Sequence, residues 1–426
     1  MVTILIFIGC IIIFITIYLL VKQYETRMIL FCAGVAMALV AGEPMAPLKA
    51  FSHAMLETKL FEAIISVMGF AMVMKVTECD KHLINALIKP LKKAGPLLIP
   101  ASTLVTFFIN TSITSSAGCS AAVGSILIPL MMAAGIHPAI AAACIYAGTY
   151  GAMFNPGYAQ VAIIVNVAKS TPIDVVANHF SALLASGIIG AFSLLVVAYL
   201  KKENKGYELP ADRAVEDTLG NFKVNYLRAI VPLVPIALLV LGNMNVIPVL
   251  KQLAISHAMI IGVFCAFFVT RVSPAKISKE FWHGVGDSFG HVFGIIICAL
   301  VFVGGMDAIG LVKALINAMI SNPAIAKVSA GFGPFILGIV TGSGDAGAVA
   351  FNKVVTPEAG QFGLLPTDMG SMAAIGAALG RTMSPVAGGL IICATLAGTS
   401  PMEVAKRNAP GMLIACIVTM GLLLYK

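Results

Sequence analysis

Apolar runs of about 20 residues, enough to cross the hydrocarbon core of a bilayer, alternate along the chain with short polar intervals. In the first half they fall near 2–21, 27–42, 60–76, 139–168 and 177–200. In the second they fall near 229–242, 256–271, 285–305, 366–397 and 404–425. Two further apolar stretches, about 97–134 and 327–357, are interrupted by the polar centres TSITSSAGCS and TGSGDAG. Their arms are short for comfortable spans. They read as re-entrant hairpins whose tips reach mid-membrane, where irregular backbone is tolerated only against protein or a water-filled cavity. The polar interval 201–228 divides the chain. The pattern predicts an all-α polytopic membrane protein. It has two repeats, 1–200 and 229–426, each of five transmembrane helices plus one re-entrant hairpin, joined by a cytoplasmic linker at 201–228.

The halves repeat each other's punctuation. Displaced by 229 residues, Asn155-Pro156 falls on Ser384-Pro385, STPIDV (Ser170 to Val175) on TSPMEV (Thr399 to Val404), and TSSAG (Thr114 to Gly118) on SGDAG (Ser343 to Gly347). A shared offset of helix-breaking motifs marks an internal duplication. Five spans is an odd number, so the second copy enters the membrane the other way round. With the N-terminus outside, the inside loops hold 18 of the 27 Lys and Arg and the outside loops hold 8. That bias fits the positive-inside rule. Arg381 is the one left within a span.

Composition agrees. The 426 residues are 59% hydrophobic and 11% charged, with a mean hydropathy of +0.98, where a soluble domain carries about 25% charged residues. The net charge of +8 reads as membrane orientation, because no basic run with interleaved aromatics points to nucleic acid. The N-terminal run lacks a basic n-region and a cleavage site and reads as a retained span. The nine cysteines, among them Cys10, Cys32, Cys144, Cys298 and Cys416, lie mostly in apolar runs and read as small packing residues. Without CxxC or HExxH, neither a metal site nor a disulfide framework is expected. No nucleophile–base spacing suggests an enzyme. His137, His179, His257, His283 and His291 fall at predicted span ends and read as interfacial.

Four irregular places converge in this scheme. Two are the hairpin tips, Thr114-Ser115-Ser116 and Ser343-Gly344-Asp345. Two are breaks in long spans, Phe154-Asn155-Pro156-Gly157 and Arg381-Thr382-Met383-Ser384-Pro385. Inverted repeats with discontinuous helices are the signature of secondary transporters, with the site at the repeat interface. A broken helix exposes N–H groups at one new end and C=O groups at the other, suited to an anion and a cation respectively. Pro385 removes a donor and opposes helix continuation. Arg381 adds a planar fork that matches a carboxylate. The substrate-binding candidates are Thr114, Ser115, Ser116, Asn155, Ser343, Gly344, Asp345, Arg381, Thr382 and Ser384. The coupling-ion candidates are Asp345, Asn155 and Ser384. Each has a plainer alternative: an ion pair of Arg381 with Asp345 or Asp368, hydroxyls bonded back to helix carbonyls, and Asn155 as a cap.

The motifs TGSGDAG, GRTMSPVAGG, TSPMEVAKRNAP and SSAGCSAAVGSILIPLMMAAGIHPAIAAA together resemble the anaerobic C4-dicarboxylate carrier family, Dcu type C, of the ion transporter superfamily. The resemblance implies a secondary active transporter of fumarate, succinate, malate or aspartate in a bacterial inner membrane. It implies exchange or cation-coupled symport with H+ or Na+, no other cofactor, and elevator-type alternating access in a homodimer. In some members of the family Asn stands at the position of Asp345 and an acid at that of Gln160. The competing readings are a carrier of another organic anion, a sodium/proton antiporter of the same superfamily, and a channel. The topology makes a direct prediction: cysteines placed at Lys22 and Asn204 will react with a membrane-impermeant thiol reagent only from the cytoplasmic side. Labelling from the periplasm would overturn the orientation.

Overall fold

The computed structural model describes residues 2–22, 24–55, 58–93, 95–208, 222–243, 249–250, 253–321 and 323–425. Residues 209–221 of the 201–228 linker, Arg213 among them, lie outside the described residues, as do Lys251 and Lys426. Every regular element among the described residues is helical. Many helices start at a Pro that follows an extended residue: Thr171-Pro172, Ser273-Pro274, Leu365-Pro366 and Ser400-Pro401. Pro lacks the N–H that a first turn would leave unpaired, and its fixed φ suits that position. At Pro172 the start is reinforced by Thr171 Oγ1, which accepts from the Asp174 N–H at 3.2 Å.

By length and composition three described helices are able to cross a membrane unaided: Ser116–Ala133, Pro172–Leu200 and Pro401–Leu424. Gly294–Ala308 with Leu311–Asn317 makes a fourth, bent by 77° at its break. The other predicted spans are divided more finely than the hydropathy pattern suggests. The 139–168 run is Pro138–Ala147, a 3-10 turn Gly151–Phe154 and Ala159–Ala168. The 366–397 run is Pro366–Thr382 and Gly388–Ala397. The two predicted hairpins are helix–turn–helix pairs, Leu98–Asn110 with Ser116–Ala133 and Pro323–Thr341 with Gly344–Val354. Ser116–Ala133 is longer than a short re-entrant arm needs. Helices Ala46–Ala54, Cys79–Ile88 and Pro274–Ser288 escape an apolar-run reading because their polar residues interrupt it.

The buried apolar residues gather in one large core, the larger body, and two smaller clusters that make up the smaller body, with Ala162, Ile163, Ala346 and Val349 of the larger body packed into one of them. The larger core joins 98–200 of the first half to 323–424 of the second, with Pro172–Leu200 against Pro401–Leu424 and Ser116–Ala133 against Gly388–Ala397. The smaller body pairs Thr26–Val40 with Gly294–Ala308, and Thr58–Val76 with Ile255–Thr270 and Pro274–Ser288. Helix starts recur at the 229-residue offset, Ala159 against Gly388 and Pro172 against Pro401. The last two helices run antiparallel. Arg407, near the start of one, is clamped at 2.9 Å and 2.5 Å by the carboxylate of Glu203, just past the end of the other. Large apolar side chains such as Phe7, Phe14, Phe192, Phe264 and Phe268 point outward, as a lipid-facing surface requires.

Two glycines at the same offset admit the breaks into the core. A Cβ on Gly151 would lie 1.8 Å from the Phe107 carbonyl oxygen, and one on Gly380 would lie 1.9 Å from that of Phe335. At these points each broken segment rests directly on the backbone of the first arm of a helix–turn–helix pair. Gly151→Ala and Gly380→Ala are each expected to cost about 1–3 kcal/mol, the usual cost of overpacking. Thermal unfolding in detergent will show it as a fall in Tm. Gly360, with nothing within 4 Å of its would-be Cβ, is the neutral control. An unchanged Tm in both variants would show that the contacts relax without cost.

Candidate functional site

A cavity of about 300 Å³ opens where the two bodies meet. Thr114, Ser115 and Ser116 reach it from the first turn, and Ser343, Gly344 and Asp345 from the second. Arg381 enters from Pro366–Thr382, and Tyr150, Met153, Tyr158 and Gln160 from the broken 138–168 segment. The smaller body contributes an apolar wall of Ile64, Val67 and Met68.

The electrostatics of the lining favour an anion. Helices Ser116–Ala133, Ala159–Ala168 and Gly344–Val354 all begin at this cavity. The first turn of a helix carries N–H groups without intrahelical partners and the positive end of the macrodipole. Ser115 Oγ accepts from the Gly118 N–H at 3.1 Å, whereas Tyr158 and Ser343 give their helices no side-chain cap. Arg381 supplies a full charge. Its Nη2 donates to the Thr149 carbonyl at 2.8 Å and its Nη1 lies 3.5 Å from the Tyr146 hydroxyl. Its guanidinium carbon sits 5.5 Å from the centre of the Tyr146 ring. These contacts fix the plane of the fork beside the Gly344 backbone.

No direct ion pair joins Asp345 to Arg381 among the described residues, although their charges act on each other through space. Instead Asp345 Oδ1 accepts from Gln160 Nε2 at 2.9 Å and lies 3.5 Å from the Tyr158 hydroxyl. Its carboxylate remains exposed. Gln160 is 3% exposed, and its Oε1 has no hydrogen-bond partner. At the 229-residue offset the positions answering to Arg381 and Asp345 are Ala152 and Ser116. Both site charges therefore belong to the second half.

The profile of the C4-dicarboxylate anaerobic carriers matches residues 4–426. The chain belongs to that family. A putative uncharacterized transporter of Haemophilus influenzae is 40% identical over 62% of this chain and 98% of its own length. A probable anaerobic C4-dicarboxylate transporter of Vibrio cholerae is 25% identical over 96% of this chain and 95% of its own. The anaerobic C4-dicarboxylate transporter of Escherichia coli K12 is 23% identical over 94% and 92%. Among solved structures, that of Neisseria gonorrhoeae MtrF, described with a class of antimetabolite efflux pumps, shares the fold. Its TM-score is 0.62 at 14% identity, over 88% of this chain and 82% of that one. These relatives are transporters and not enzymes.

The carrier places the predicted residues unevenly. Thr114, Ser115, Ser116, Ser343, Gly344, Asp345 and Arg381 line the cavity; Asn155, Thr382 and Ser384 do not. Asn155 acts as a stitch: its Nδ2 donates to the Thr111 carbonyl and its Oδ1 accepts from the Gly157 N–H, both at 2.9 Å. Thr382 bonds back to the Ala378 carbonyl at 2.8 Å. Ser384 is fully buried and its Oγ has no partner. His179 is not interfacial: it is fully buried, 3.0 Å from Ser371 Oγ and 2.9 Å from the Met153 carbonyl. The side chain of His291 lies outside the described residues. Reading from the break residues alone missed Tyr146, Thr149, Tyr158 and Gln160. A signal was present, because two tyrosines stand in the small-residue run AAACIYAGTYGAMFNP and Tyr158 and Gln160 open the helix after the break.

Arg381→Lys keeps the charge and loses the planar fork. Hydrogen bonds to charged groups contribute about 1.5–3 kcal/mol. Isothermal titration with succinate as probe should therefore show affinity reduced by about tenfold or more in a protein that still folds. Retained affinity would remove Arg381 from the anion site.

Proposed function

We propose that this carrier is a secondary active transporter that moves C4-dicarboxylates such as fumarate, succinate, malate or aspartate across a bacterial inner membrane. The observation that carries the reading is the convergence of Arg381 with three helix N-termini on one cavity between the two packed bodies. A planar cation and free N–H groups suit carboxylates. An apolar wall from the smaller body suits the short carbon chain between them. A site walled by both bodies supports alternating access of the elevator type, with the smaller body as scaffold in a homodimer and the larger body as the moving part. The antiparallel run of Pro172–Leu200 and Pro401–Leu424, joined by the Arg407–Glu203 clamp, supports inverted repeats with the linker on the cytoplasmic face. The two helix–turn–helix pairs then act as the re-entrant hairpins.

For cation coupling, Asp345 is the strongest candidate, because its carboxylate faces the cavity with Arg381 engaged elsewhere. Ser384 offers a buried hydroxyl oxygen, while Asn155 is occupied at both ends of its side chain. A sodium/proton antiporter would use Asp345 but leave Arg381 without a task, so the organic-anion reading is preferred. Counterflow of radiolabelled succinate in proteoliposomes tests the function, and absence of exchange among C4-dicarboxylates would refute it. Asp345→Asn preserves an acceptor for Gln160 and should fold. It should keep substrate exchange but lose the response to an imposed pH gradient. Proton-driven uptake at wild-type stoichiometry in that variant would refute the coupling role.

A further inference from the structure

A second cavity, of about 790 Å³, shares Met68, Thr114 and Ser115 with the binding cavity and continues from them to Lys75, Asp80 and Lys81. The two spaces share this wall, and the second leads from it toward the face that the charge pattern makes cytoplasmic. The path is walled largely by apolar or small residues, among them Met72, Leu83 and Ala122. Of its ionisable residues, Lys81 is bonded to Glu78 at 2.6 Å, and Asp80 accepts from the Lys81 backbone N–H at 2.7 Å. Lys75 is exposed, and among the described residues it forms no hydrogen bond or ion pair. With Lys81 held by Glu78, Lys75 is the wall cation whose ammonium no carboxylate binds directly; Asp80 feels its charge only through space.

We propose that Lys75 is a specificity-determining residue of the vestibule, an electrostatic guide that concentrates dianions at the cytoplasmic mouth before they reach Arg381. The inference rests on the anion-site reading above. A cleft of one charge sign with low-dielectric walls focuses the field and raises local ligand concentration. A vestibule that Lys75 did not charge would admit cations and anions alike. Because the lysine is solvated, its effect falls with ionic strength over a Debye length of about 10 Å at 0.1 M. Positive-inside topology alone would not confine the effect to a residue that lines the path. Lys406, paired with Glu403 at 2.9 Å and absent from the vestibule wall, provides the control.

Two measurements on the full chain separate the guide from the site. Ser125 is exposed and lines the vestibule, and none of the cysteines does, so Ser125→Cys, with Cys10, Cys32, Cys265 and Cys298 each changed to Ser, places one accessible thiol there. The ratio of its reaction rates with an anionic sulfonate and a cationic ammonium methanethiosulfonate reads the local potential. A change in thiol acidity affects both reagents equally and cancels. At low salt, Lys75→Gln should lower that ratio by about threefold or more, while Lys406→Gln leaves it unchanged. In proteoliposomes, Lys75→Gln should raise the KM for succinate supplied from the vestibule side by a similar factor. The maximal rate should be unchanged, and the difference should vanish at high salt. An unchanged thiol ratio, or an unchanged KM despite a changed ratio, overturns the proposal. If the wild type exchanges no dicarboxylate, the anion-site reading fails, and the thiol ratio still decides whether Lys75 makes the vestibule anion-selective.

Discussion

Irregular backbone inside an apolar body must find polar partners, and the architecture of this carrier depends on how that demand is met. Each break frees N–H and C=O groups that lipid and aliphatic side chains are unable to satisfy. A small set of side chains answers. Asn110 accepts from the Ala152 N–H and donates to the Ile113 carbonyl, both at 2.8 Å. Asn155 binds Thr111 and Gly157, and His179 holds the Met153 carbonyl. Asn408 donates to the Thr382 carbonyl at 3.0 Å. Arg381 takes the Thr149 carbonyl. The same contacts that make the breaks tolerable also fix the helix starts that line the cavity, so stability and the proposed recognition share residues.

That sharing explains what was legible in the sequence. The hydropathy pattern, the 229-residue offset and the motifs at the breaks located both turns, the four irregular segments and Arg381, because Pro, Gly and a lone cation contrast sharply with apolar surroundings. The residues that support the site were harder to see. Tyr146 and Thr149 sit within a run of small residues, and their role exists only because Pro366–Thr382 packs beside them. His179 was misplaced for the same reason. Its position near a span end says nothing of the neighbouring helix that covers it. The roles of Asn155 and Asp345 were likewise decided by partners distant in the chain, Thr111 and Gln160. The amphipathic helices of the smaller body were obscured by their own polar faces.

The two helix–turn–helix pairs are equivalent in plan but not in chemistry. Both offer hydroxyls and a helix start to the cavity, and both rest against a glycine of the opposing broken segment. The first turn is neutral, with Ser116 at the position where the second has Asp345. The second break carries Arg381 where the first has Ala152. The two pairs share a plan, while the charges at the cavity lie in the second half.

This imbalance bears on how a ligand lies in the cavity. A cradle with true two-fold symmetry would accept a symmetric dianion in two orientations of equal energy and would be blind to a substituent on one carbon. With cation and carboxylate both supplied by the second half, the degeneracy is lifted. On the proposed reading, one end of the ligand would meet the guanidinium and the other would meet hydroxyls and peptide N–H groups, with the Asp345 carboxylate beside them. Such a cavity would have a head and a tail, and with them the means to tell the two ends of a hydroxylated or aminated chain apart.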